Sequence, residues 1–198
     1  MIKGLETYTV RSGIIYLNSL LRSSILYAAE TYYNLSERNL RMLEIIEEDC
    51  LRKLLETGSE CPIALLYLET GQLPARFHYQ IMMLNFLKYI LQQDLNSLIS
   101  KFFRAQNEHP TNSDWVSNVK KILLSIKLYM TFEDIKFMKM NQFKKIVENK
   151  VRKAAFTYFL AKIKSKGKEM IYGSSLQCQT YLCHNNLLTL YEQRAIFS

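Results

Sequence analysis

Glycine and proline are scarce in this chain, and their placement constrains the fold more than any other feature. No glycine lies between Gly71 and Gly167, and no proline follows Pro110. Turns between strands depend on these two residue types, so a long stretch without them argues against a β-sheet. Apolar residues recur in this stretch every three or four positions, which is the period of a helix. The sequence therefore predicts an all-α fold, an irregular bundle of about 8–10 helices.

Start and stop signals divide the chain into helices. Ser36 is expected to cap one helix by accepting a hydrogen bond from a free backbone N–H of the first turn. Gly58 and Gly71 are expected to end helices in the left-handed conformation. Thr131, with Asp134 three residues later, is typical of a helix start. The predicted helices cover residues 14–33, 37–56, 62–70, 74–92 and 94–105 (the last capped by Asp94), a stretch that Ser113 begins, and residues 132–164 with at most one break.

Charge is distributed unevenly along the chain. Residues 1–118 carry 11 Lys and Arg against 13 Asp and Glu, whereas residues 119–198 carry 15 against 5. An asymmetry of this size indicates that the second half meets a polyanion or an acidic partner. The sequence therefore predicts an N-terminal helical region over 1–106, a loop over 107–112, a basic helical region over 113–164, and a linker with short helices over 165–198.

Most of the excess positive charge lies in one predicted helical segment, which is a candidate nucleic-acid site. We expect one side of this helix to pack against the protein and the other to carry cations. Such a helix suits a phosphate backbone, because each cation that neutralises a phosphate releases counterions. The alternative is a solvated basic face without a ligand. The predicted packed side comprises Phe143, Val147, Val151, Ala154 and Tyr158, and the candidate binding residues are Lys136, Lys139, Lys144, Lys145, Arg152, Lys153, Lys162, Lys164, Lys166 and Lys168.

Tyrosines offer a second way to hold nucleic acid. An exposed aromatic ring stacks on an unpaired base of any identity. The alternative is that the rings are half-buried and only their hydroxyl groups reach water. We favour the second interpretation for the candidates, which are Tyr32, Tyr33, Tyr89, Tyr129, Tyr158 and Tyr172.

Residues suited to catalysis or metal binding are sparse. Nucleotide transfer needs carboxylates that hold two metal ions about 4 Å apart, and none of the four Asp residues is paired for that role. The Glu-Glu-Asp run at 47–49 precedes two cations, so we interpret it as a solvated, ion-paired face. Cys178, Cys183 and His184 have metal-ligand chemistry, but no second pair completes a zinc site. We therefore predict no catalytic residue, no metal and no cofactor in this chain.

Five motifs spread over residues 13–197 carry a resemblance to a known family. They are residues 25–31 (ILYAAET), 51–55 (LRKLL), Pro62 with 65–74 (LLYLETGQLP), 178–182 (CQTYL) and 191–197 (YEQRAIF). In order and spacing they resemble the thumb and connector region that follows the polymerase core in reverse transcriptases of LINE-type (non-LTR) retrotransposons. At Tyr32 the chain departs from the many relatives that carry Trp.

The resemblance implies a non-catalytic part of an RNA-directed DNA polymerase whose catalytic core lies outside this chain. The early helices would then pack beside that core and guide the primer–template duplex. The basic later helices would hold element RNA or target DNA by its backbone. An inactive remnant of a mobile element is an alternative.

A second function class and a location also follow from the sequence. The predicted fourth helix, 74–92, is apolar on more than one face, and the last helix is also apolar, so a helical protein–protein interaction domain is the alternative function. The longest apolar run, 63–68, is far shorter than the roughly 20 residues that span a bilayer. Because no signal peptide is recognisable, we expect an intracellular protein, nuclear or cytoplasmic, with reduced cysteines and no membrane partner.

Overall fold

Helices make up all the regular structure in the described part of the chain, which confirms the predicted all-α fold. The computed structural model describes residues 10–31 and 35–164. A π-helical turn, Leu17–Leu21, joins the first two helices, and a 3-10 turn covers Ala29–Thr31. The α-helices are α1 (Val10–Tyr16), α2 (Arg22–Ile25), α3 (Glu37–Leu54), α4 (Ile63–Thr70), α5 (Ala75–Leu91), α6 (Leu98–Glu108), α7 (Trp115–Ser125), α8 (Phe132–Phe137) and α9 (Met140–Lys164).

The chain forms two compact units, and each is assembled from separate stretches of sequence. Unit 1 contains the described residues of Met1–Tyr27, Arg41–Ala75 and Phe156–Ser198. Unit 2 contains those of Ala28–Leu40 and Arg76–Ala155. The predicted regions 1–106 and 113–164 follow chain order, whereas the boundaries between the units fall between residues 27 and 28, inside α3, after the first residue of α5 and inside α9.

A buried ion pair organises unit 1. The Arg22 Nε donates to Glu47 Oε1 at 3.0 Å, and Arg22 Nη2 donates to the carbonyl of Leu73 at 2.9 Å. The backbone N–H of Ala75 donates to Glu47 Oε2 at 2.8 Å. Burial raises the pKa of Glu47, and the adjacent Arg22 opposes that rise. Because both charges have left water, they depend on these partners for compensation, and the network ties α2 and α3 to the segment before α5.

The buried face of α3 differs from the predicted one. The apolar residues 40, 43, 46, 50 and 54 recur every three or four positions, which predicts that they form the buried face. Leu40 is buried as this pattern predicts, but Ile46 is 45% exposed, and Glu44 and Glu47 are buried instead. The interpretation of residues 47–49 as a solvated face is therefore wrong for Glu47. It holds for Asp49, whose exposed carboxylate lies 2.7 Å from Lys53 Nζ. Arg22 supplies the charge that makes a glutamate acceptable in the core.

Two helices end earlier than predicted, because residues other than the predicted ones take the left-handed conformation. The first helical stretch ends at Ile25 and not at residue 33, since the chain turns at Ala28, whose φ is 53°. Helix α3 ends before Glu56, whose φ is 51°, and Gly58 is not the left-handed residue. Gly71, with φ 65°, ends α4 as predicted.

The predicted caps are partly right. Ser36 Oγ accepts from the N–H of Asn39 at 3.2 Å, as expected at the start of α3. Helix α6 is capped by Ser97 and not by Asp94, and α7 begins after Asp114 rather than at Ser113. Thr131 and Asp134 form the full capping box of α8.

The core of unit 2 surrounds α5. Met83, Leu84 and Leu87 have no exposed surface, whereas Tyr89 near the end of the helix is 48% exposed. Phe86 meets Trp115 edge to face, with ring centroids 5.7 Å apart. The interior of unit 2 therefore uses much of the apolar surface of α5.

The buried stripe of α9 winds around the helix, which corrects its predicted packed side. Phe143, Val147 and Val151 are buried as predicted, but the stripe continues through residues 155, 159 and 163. Ala154 and Tyr158 are half-buried. Four residues exceed one turn of 3.6, so a stripe of i, i+4 steps rotates by about 40° per step and about 200° from 143 to 163.

None of the helices in the described ranges combines the length and the apolar character needed to cross a bilayer.

Candidate nucleic-acid interface

Six of the ten predicted binding residues lie in unit 2. Five of them are exposed and the sixth, Arg152, is half-buried. Two flank the junction between α8 and α9, and four lie on α9. Lys166 and Lys168 lie outside the described residues, and Lys162 and Lys164 are exposed but belong to unit 1. The six predicted binding residues in unit 2 are Lys136, Lys139, Lys144, Lys145, Arg152 and Lys153.

The cations on α9 occupy a broad exposed arc with one carboxylate inside it. Lys145 and Lys153 are two turns apart on the side opposite the buried stripe, about 12 Å along the axis. Glu148 Oε1 lies 3.2 Å from Arg152 Nη2. An exposed pair at this spacing contributes only about 0.3–0.5 kcal/mol, so a phosphate can displace Glu148 at small cost.

Lys162 has a different environment on the same helix. Its Nζ lies 4.5 Å from the ring centroid of Tyr158, a cation–π contact. Both residues belong to unit 1. The structure therefore divides the predicted cationic segment between the two units.

Positive charge is concentrated in unit 2. Its sequence carries 15 Lys and Arg against 8 Asp and Glu, a formal net charge of +7, whereas the sequence of unit 1 carries 11 against 10, or +1. The sequence prediction missed part of this charge because it considered only residues from 136 onward. Further exposed cations of unit 2 are Arg38, Lys101, Arg104, Lys121 and Lys127.

Lys88 is a buried cation that the sequence prediction did not assign to the site. It has no exposed surface, and its Nζ donates to the carbonyls of Ile135 at 2.6 Å, Lys136 at 2.8 Å and Met138 at 2.5 Å. Burial lowers the pKa of Lys88. Carbonyls at a helix C-terminus carry partial negative charge, so the ammonium group fixes the end of α8 and the backbone that presents Lys136.

Two strongly exposed aromatic residues lie near the ends of α8, one before its start and one at its last residue. Tyr129 is 77% exposed, against the favoured interpretation that the candidate tyrosines are half-buried. Phe137, which the sequence analysis did not single out, is 83% exposed. Tyr89 is also exposed, and Tyr158 is half-buried as expected. Tyr32, Tyr33 and Tyr172 lie outside the described residues.

Tyr129 lines a shallow depression at the surface of unit 2. The depression has a volume of about 490 Å³, and Leu124 and Phe132 contribute apolar walls. Lys120 Nζ lies 5.7 Å from the centroid of the Phe132 ring. An aromatic ring, an apolar floor and an ammonium group thus border the same space.

No group of His, Cys, Asp and Glu among the described residues is arranged to hold a metal ion. Within the described ranges, Cys50 and Cys61 form no disulfide, and burial raises the pKa of Cys50. Cys178, Cys183 and His184, which have metal-ligand chemistry but lack a second pair of ligands, lie outside the described residues.

Comparisons of the chain with protein-family models, with curated proteins and with solved structures found no match.

Proposed function

We propose that this chain is a non-catalytic helical module that binds the backbone of RNA or DNA through unit 2. The observation that carries the proposal is the exposure of the predicted cations between Lys136 and Lys153 in the unit whose net charge is +7. Lysine is a mobile point charge without the planar fork of arginine, so recognition rests on phosphate rather than on base identity.

The motifs similar to LINE-type reverse transcriptases support a more specific form of this proposal. In that form the chain is a thumb and connector region, the polymerase core is a partner outside it, and the ligand is element RNA or target DNA. An intracellular location follows from the same proposal.

Salt dependence tests the proposal. Each neutralised phosphate of a duplex contributes about −0.9 to the slope of log K against log salt. Six cations would give a slope of about −5. Fluorescence anisotropy with a labelled duplex DNA and a hairpin RNA, repeated over a series of salt concentrations, measures this slope on the full chain.

Paired charge variants locate the contacts. Lys144→Gln with Lys145→Gln removes two exposed cations of unit 2, and we expect the slope to become shallower by about 1.8. Arg11→Gln with Lys53→Gln removes two exposed cations of unit 1 and serves as the matched control. Absence of binding at low salt, or equal effects of the two double variants, would contradict the proposal.

A second candidate function, protein–protein interaction, is favoured by a specific feature of unit 1. Large apolar side chains there are about half exposed on the first helical stretch and on α3, and groups of exposed apolar residues mark interaction surfaces. Size-exclusion chromatography with light scattering separates the candidates, since a dimer indifferent to nucleic acid favours this one. The exposed residues are Ile15, Tyr16, Leu20, Met42, Ile45 and Ile46.

A further inference from the structure

We propose that unit 2 holds unpaired nucleotides, with bases stacked on Tyr129 and Phe137 and phosphates on the neighbouring lysines. This inference rests on the proposed function and narrows its ligand to single-stranded RNA or DNA. The bases of a duplex are already stacked on one another, whereas an unpaired base gains by stacking on a protein ring.

Phe137 is exposed on a backbone that cannot easily move. The carbonyls on both sides of it, those of Lys136 and Met138, accept hydrogen bonds from Lys88 Nζ at 2.8 and 2.5 Å. The Phe137 ring nevertheless remains 83% exposed. A ring held toward solvent from a fixed backbone loses little conformational freedom when a base stacks on it.

The loop that carries Tyr129 is also held in place. The N–H of Leu128 donates to the carbonyl of Leu123 at 2.9 Å, and the N–H of Met130 donates to that of Leu128 at 3.1 Å. Lys127 adopts the left-handed conformation with φ 54°, and its carbonyl accepts from Lys150 Nζ at 3.2 Å. A non-glycine residue in this conformation persists only where its surroundings determine it.

The charges near the two rings favour phosphate. Lys127 and Lys136 are exposed within two residues of Tyr129 and Phe137, respectively. Of the two carboxylates at the start of α8, Asp134 accepts from the N–H and the hydroxyl of Thr131 at 3.0 and 2.7 Å, and Glu133 is exposed. The Lys88 ammonium offsets the partial negative charge of the α8 carbonyls. Both carboxylates are exposed, and three exposed lysines, Lys127, Lys136 and Lys139, outnumber them here.

The spacing of the platforms suits a short single strand. Helix α8 has six residues and is about 9 Å long. One ring precedes this helix and the other ends it, so two bases can stack at its ends while the backbone between them follows the lysines. If the two rings instead bind a partner protein, removing them will not change binding of single-stranded nucleic acid relative to duplex. The variants below test for that outcome.

Alanine variants test the stacking sites on the full chain. Tyr129→Ala and Phe137→Ala are each expected to weaken binding of a labelled uridine 12-mer about tenfold and to leave binding of a 12-base-pair duplex nearly unchanged. Tyr27→Ala, which removes an 81% exposed ring from unit 1, is the matched control and should change neither affinity. Phe137→Trp should retain binding, and its added fluorescence should be quenched by the 12-mer.

The outcomes separate this inference from the proposed function. If the parent chain binds both ligands and the alanine variants bind the 12-mer normally, the stacking sites are wrong and backbone binding stands. If the parent chain binds neither ligand, both proposals fail. Equal loss of 12-mer and duplex binding would also overturn the stacking sites, because it would indicate a change in the fold or in backbone contacts.

Discussion

Lys88 shows how a single charged side chain acts in this fold without contacting a ligand. Its ammonium group has three donors, and each meets a carbonyl at the end of α8, at 2.5 to 2.8 Å. A buried ammonium group without such partners would cost several kcal/mol of folding free energy. The carbonyl of Ile135 depends on Lys88 in the same way, because this contact is buried.

Replacing Lys88 should therefore destabilise unit 2 strongly. We expect Lys88→Met to lower the free energy of unfolding by about 2–3 kcal/mol. The methionine side chain has a similar length, but it cannot donate hydrogen bonds to the carbonyls. Urea denaturation measures the loss. Lys101→Met, at an exposed position of α6 in the same unit, is the control and should change stability by less than about 0.5 kcal/mol. Equal losses in the two variants would contradict the role of the carbonyl contacts.

At the residue scale, the sequence predicts exposed charge well and buried charge poorly. Lys144, Lys145 and Lys153 are exposed as predicted, because a lysine stays in water unless a partner holds it elsewhere. The burial of Glu47 and Lys88 depends on partners that are distant in the sequence. Arg22 is 25 residues from Glu47, and Ile135 is 47 residues from Lys88. Spacing within one helix carries no information about such partners.

At the scale of elements, the start of α7 depends on one carboxylate. Asp114 accepts from the N–H of Ser117 at 2.6 Å and from the N–H of Thr111 at 2.5 Å. Burial alone would raise the pKa of Asp114, but these donors outweigh it and lower the pKa to about 2. A carboxylate with a lowered folded-state pKa contributes stability above its ordinary pKa and loses that contribution as pH falls toward the folded value.

Removing this cap should therefore have a pH-dependent effect. We expect Asp114→Ala to lower the free energy of unfolding by about 1 kcal/mol at neutral pH. The difference from the parent chain should shrink as pH falls from about 4 to about 2, where Asp114 becomes protonated in both states. Thermal unfolding followed by circular dichroism across this range measures it. Glu108→Ala, at the exposed last residue of α6, is the control, and an Asp114→Ala effect that is constant with pH would contradict the assignment.

Helix existence is readable from the sequence more reliably than helix ends or faces. The box of Thr131 and Asp134 was predicted because both partners lie within one turn. The caps of α6 and α7 were predicted at residues 94 and 113, because several polar residues near each start can accept the same N–H groups. The drift of the α9 stripe from Phe143 to Phe159 requires following the 3.6-residue turn over four steps, in which a small angular error accumulates.

At the scale of the whole molecule, the composition of each unit was not readable from the sequence. Charge changes sign near residue 118, which suggested two consecutive regions, but the units collect stretches from both sides of that point. Only packing between distant stretches defines a unit, and α9 contributes to both. In unit 1, Phe159 is buried and stacks on Tyr67 with ring centroids 5.3 Å apart. In unit 2, Phe143 is buried without any exposed surface.

The same substitution at these two positions of α9 should consequently weaken different parts of the chain. We expect Phe159→Ala and Phe143→Ala each to cost about 3–5 kcal/mol. Amide hydrogen exchange should show that Phe159→Ala reduces protection mainly in α4, which lies in unit 1, whereas Phe143→Ala reduces it mainly in α7, which lies in unit 2. Each variant is the control for the other, because both replace a phenylalanine of the same helix with alanine. Equal loss of protection in α4 and α7 in both variants would contradict this prediction, because it would mean that the two units unfold as one cooperative structure.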